Sequence, residues 1–98
     1  METTDDVIDD FMGGKPRANQ WRELRIVLEA RLADTKLQLA VTSPGSSEHR
    51  SLQRKVKEMT AQVNVLIQEE AVAQFVEDSI IATVSRPHPL EIQDGFDQ

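Results

Sequence analysis

The chain has no cysteine among its 98 residues, which excludes disulfides, thiolate metal sites and thiol nucleophiles. Aromatic side chains are almost as scarce, with Phe11, Trp21, Phe75 and Phe96 making up the whole set. The apolar content is instead Leu, Val, Ile and Ala, which suits helix–helix seams better than a thick core, and a chain this short buries only a small one. No apolar run approaches the roughly 18 residues of a membrane span. The N-terminus is acidic, the wrong sign for a secretory signal. These absences point to a cytoplasmic protein, or to a component of a particle assembled in a cytoplasm.

What is present is charge, unevenly placed. The net charge of −6 divides into −5 over residues 1–14, +5 over residues 15–68 and −6 over residues 69–98. A basic middle between acidic ends suits self-assembly through opposite charges, or tails that shield the middle.

Thr4 is a candidate N-cap for a short helix over Asp5–Met12, with aspartates in its first turn where the helix dipole favours them. Val7, Ile8, Phe11 and Met12 form one stripe outside which the aspartates lie, and Gly13-Gly14 ends the segment. The result is an acidic amphipathic arm, residues 1–14, of the kind that lays apolar anchors in a groove. A first long helix is expected from Asn19 as N-cap to about Thr42, with Leu24, Leu28, Leu32 and Leu39 in one row. Ser43-Pro44-Gly45-Ser46-Ser47 breaks the pattern, and so short a break implies an antiparallel hairpin over residues 15–69.

The second helix starts near Ser47. Leu52, Val56, Met59, Val63 and Leu66 are spaced 4, 3, 4, 3, the heptad seam of a coiled coil. Glu70 occupies the next seam position and reads as a break, after which Val72, Phe75, Val76, Ile80 and Val84 form a rotated stripe facing a different neighbour. Residues 79–85 also have fair strand propensity, and Pro87-His88-Pro89 stops either structure ahead of an acidic tail over 87–98. At about 1.5 Å per residue, the first helix spans roughly 35 Å and the second up to roughly 60 Å. The extension over residues 70–86 therefore outruns its partner and needs cover from the arm, a second copy or another protein. The fold class is all-α: a coiled-coil-like hairpin with a short N-terminal helix and a C-terminal extension.

Catalytic chemistry is hard to find. His49 and His88 stand far apart without ligand-like spacing, and Asp5, Asp6, Asp9 and Asp10 lack the pattern of a calcium loop. The serines have no neighbouring base, and Gly13-Gly14-Lys15 lacks the remaining residues of a phosphate loop. An enzyme, a cofactor, a metal or a small-molecule substrate is therefore not expected, nor is a membrane. Val7, Ile8, Phe11, Met12, Val72, Phe75, Val76, Ile80 and Val84 are the candidate protein-binding residues. They suit a non-enzymatic interaction component that binds itself or other proteins in an assembly. The alternative is a small regulatory module that grips nucleic acid through Arg50, Arg54, Lys55 and Lys57. The acidic flanks weigh against it, as does having Trp21 as the only aromatic in the basic region.

The run ARLADTKLQLAVTSPGSSEHRSLQRKVKEMTAQV, followed by the β-branched VEDSIIATVSRP, resembles small tail-assembly or virion proteins of tailed phages of actinobacteria over Ala30–Pro87. The likeness lies in layout. It implies a role in tail or neck assembly, with other virion proteins as partners, and transfers no functional residue. The acidic arm and the short tail after Pro87 depart from it.

Overall fold

The computed structural model describes residues 3–85. Three helices make up this span: α1 over Thr4–Met12, α2 over Ala18–Val41 and α3 over Ser47–Ser85. The expected tail, with His88, Leu90, Ile92 and Phe96, lies outside the described residues. Residues 79–85 are helix, and no strand occurs among the described residues. The segment continues α3 without a break, and its Ile80 is the last half-covered position of the seam.

The caps differ slightly from expectation. Thr3 caps α1 in place of Thr4: its hydroxyl accepts from the Asp6 N–H while the Asp6 carboxylate accepts from the Thr3 N–H, a reciprocal pair that satisfies two terminal donors. Gly13 ends α1 in the left-handed region at φ 63°, a conformation a side chain would strain. α2 begins two residues earlier than Asn19 would place it, with Arg17 as its cap residue. The reason sits in α3, where Glu77 accepts the Ala18 N–H. At the hairpin turn, Ser46 Oγ accepts from the His49 N–H, and His49 Nδ1 lies 3.0 Å from Thr42 Oγ1.

α2 and α3 form an antiparallel hairpin. On α3 the seam runs through Leu52, Val56, Met59, Val63, Leu66, Glu70, Ala73, Glu77 and Ile80, all buried or half-buried. The 4-3 spacing never breaks, so the rotation expected at Glu69-Glu70 does not occur. On α2 it runs through Ala18, Trp21, Arg25, Leu28, Leu32, Thr35 and Leu39, also a 3-4 series of covered positions. Leu24, placed at the head of the seam row from the sequence, is 55% exposed, because Arg25 takes the seam position opposite Glu70.

Pairing also reaches further than residue 69. α3 overhangs the turn for its first residues, and Leu52 is its first buried position. The register is thereby shifted so that Ala18 meets Glu77. The result is a rod of 78 × 31 × 17 Å with a radius of gyration of 22.1 Å, against about 13 Å for a compact chain of 100 residues.

Candidate functional site

The far end of the hairpin, away from the turn, is where the sequence placed nine candidate interface residues. α1 folds back onto α3 there. Ile8 and Met12 are buried with Ala18 and Ala73, and Trp21 and Ile80 pack against that cluster. The arm thus docks in cis, using the inner edge of its stripe.

A charged clamp holds the dock. Arg17 Nη1 donates to Asp9 Oδ1 at 2.8 Å, and Nη2 lies 3.6 Å from Asp5. Arg17 Nε sits 2.9 Å from Glu77 Oε1, close enough for ion pairing but off the line of its N–H. The hydrogen bond to Asp9 chiefly, and next the adjacent Glu77 carboxylate, hold the Arg17 pKa above its ordinary value. Glu77 itself joins three elements: it receives the first N–H of α2, where the helix dipole favours an anion, and pairs with the arginine that holds α1.

Two turns nearer the hairpin's middle, Glu70 accepts from Arg25 Nε at 2.8 Å and from Arg22 Nε at 2.9 Å. Arg25 also donates to Glu29 at 2.9 Å. The bond from Arg25, assisted by Arg22, holds the Glu70 carboxyl below its ordinary value of 4.5, while Glu70 raises the Arg25 pKa. The positions of Glu70 and Glu77, seven apart in the seam and each opposite an arginine, were the available sequence signal for these pairs.

The nine candidates separate into two groups. Ile8 and Met12 are buried, and Val7 and Ile80 are half-covered, so these four are largely occupied within the chain. Phe11, Val72 and Phe75 stay open, 69%, 61% and 72% exposed, together with Val76 and Val84. They are gathered into one shallow apolar surface. Phe11, Phe75, Val76, Ile80 and Val84 line one groove, and Phe11, Trp21, Val72 and Val76 line the adjoining one.

Arg50, Arg54, Lys55 and Lys57 lie at the other end of the rod. All four are exposed and absent from the ion pairs among the described residues. No group of three or more acids or histidines among the described residues could hold a metal ion. No described helix is long and apolar enough to cross a membrane. No protein-family model matches this chain, and neither a curated protein nor a solved structure does.

Proposed function

We propose that this protein is a non-enzymatic protein–protein interaction component: a helical hairpin that presents an apolar surface at its arm end to a protein in a larger assembly. The observation that supports the reading is the exposure of Phe11, Val72 and Phe75 after the arm has already docked. Each such side chain left in water forgoes about 1.5–3 kcal/mol of burial, which a protein partner recovers. The phage-like layout of Ala30–Pro87 makes tail or neck assembly the setting in which such a partner is sought.

A photo-cross-linking amino acid at position 75, set in the full chain and irradiated in the producing cells, tests this. Adducts to protein are expected from position 75, and few from position 74 on the charged flank. Their absence at position 75, or adducts to nucleic acid, would contradict the proposal.

The second reading is nucleic-acid binding through the turn end. It draws on the exposed Arg50, Arg54, Lys55 and Lys57. Affinity for duplex DNA or RNA that falls steeply with salt, and is lost when Arg54 and Lys57 become Glu, would support it.

A further inference from the structure

The two long flanks of the hairpin differ in chemistry. One carries the polar Arg22, Arg25, Glu70 and Gln74 around Ile67 and Ala71. The opposite flank carries Leu24, Val27, Leu28, Val65 and Leu66, with Arg31 and Gln62 beside them, around an open groove of about 520 Å³, and through Trp21 and Val72 it runs on into the arm-end surface. The midsection of this flank, around Val27 and Val65, was not among the residues assigned an interface role from the sequence.

We propose that this flank is covered by a second copy of the chain, lying antiparallel about a two-fold axis near Val65, so that two hairpins make one four-helix core. The inference rests on the protein-binding reading above and names the occupant. Three observations select it.

The first is area. The 24 residues of α2 give a face roughly 36 Å long and, two helices wide, roughly 20 Å across. That is about 700 Å² per copy, close to the roughly 800 Å² per partner of a stable interface.

The second is charge. Residues 31–58, at the turn end, hold six basic groups against three acidic. Residues 3–25 with 69–85, at the arm end, hold nine acidic against four basic. A parallel pair would set acid on acid and base on base, whereas an antiparallel pair sets each end against its opposite.

The third is position. Val65 lies 18 residues from Ser47 and 18 from Thr83, so rotation about it overlays α3 on its copy almost end to end. Arg50 and Arg54 then come beside the partner's Ile80 and the partner's Val76. The exposed Asp6, Asp10 and Asp78 at that end supply acids for their head groups, and their apolar stems cover the outer surface.

Light scattering on the full chain should give twice the 11.0 kDa chain mass. Val65→Glu should raise the dimer dissociation constant at least about tenfold while leaving the helical circular dichroism intact, since Val65 is 55% exposed. Orientation is read by disulfides, the chain having no cysteine of its own. Arg54→Cys chains mixed with Val76→Cys chains should give a mixed cross-linked dimer on oxidation, and neither variant should link to itself. A monomer at every concentration would overturn the proposal, as would a dimer in which Arg54→Cys links to itself. Protein adducts from position 75 would survive either failure, so the loss of this inference is distinguishable from the loss of the broader reading.

Discussion

The two halves of the hairpin share one heptad frame and fill it differently. In the turn half the seam is Leu52, Val56, Met59, Val63 and Leu66 against Leu28, Leu32, Thr35 and Leu39, and apolar burial holds the helices together. In the arm half the same frame carries Glu70, Ala73 and Glu77 against Arg25, Trp21 and Ala18, and carboxylates bind arginines and a helix N-terminus. Polar seam groups add little net stability compared with well-packed apolar ones, but they fix which residue meets which. The difference teaches a division of labour: the turn half coheres through its seam alone, and the arm half sets register while its cohesion comes from the cluster that α1 closes. The arm half can then leave Val72, Phe75 and Val76 facing outward for another use.

Substitutions in the two halves should therefore fail in different ways. Val63→Asp, which buries an unpaired charge in the cohesive half, should cost about 4 kcal/mol. That is most of the stability of a small domain at the low end of the usual range of about 5–15 kcal/mol, and helical circular dichroism should fall sharply. Equal loss from a substitution on the outer face would erase the distinction.

Glu77→Ala should cost about 3 kcal/mol. It leaves Arg17 with its α1 partners alone and the first N–H of α2 without its acceptor. Its signature is local, with faster tryptic cleavage after Arg17 while the turn half keeps its hydrogen-exchange protection. Ile8→Ala removes the most buried side chain, 1% exposed, and should cost about 2 kcal/mol, seen as undocking of α1 before the hairpin melts.

The smallest effect concerns Glu70. Its folded pKa lies below 4.5 because of Arg25 and Arg22, so it contributes stability that is present above pH 4.5 and lost as the pH falls through the lowered folded value. Glu70→Gln should flatten the acid-side dependence of the melting temperature in that window and leave the neutral-side dependence unchanged. An unaltered acid limb would mean that Glu70 is not paired in solution.

Much of this was legible beforehand. Gly13-Gly14 and Ser43–Ser47 punctuate the chain by turn chemistry alone, and the 4-3 spacing of Leu52–Leu66 fixes the helical period of the seam. Glu70 and Glu77 were missed because a seam was sought by apolarity, and an acid at a seam position looks like its end. Only the arginines opposite turn it into a continuation. Counting rise per residue also placed the end of the hairpin near Glu69, because the overhang of α3 past the turn depends on how Ser46, His49 and Thr42 pack, which spacing does not encode. Ile8 and Phe11 share one stripe in the sequence, yet one is buried and the other 69% exposed. The edge that meets α3 is the one whose helix also brings Asp5 and Asp9 to Arg17, a pairing that the stripe itself does not encode.

The most direct measurement is a distance between α1 and the far end of α3. Spin labels at Asp10→Cys and Ala82→Cys, both exposed positions, report it by pulsed electron resonance, with excess unlabelled chain added to remove contributions between copies. A single narrow, short distance that Glu77→Ala broadens is the expected result. A broad distribution of long distances would mean that the arm is not held in cis, and the clamp and the outward surface it frames would both be wrong.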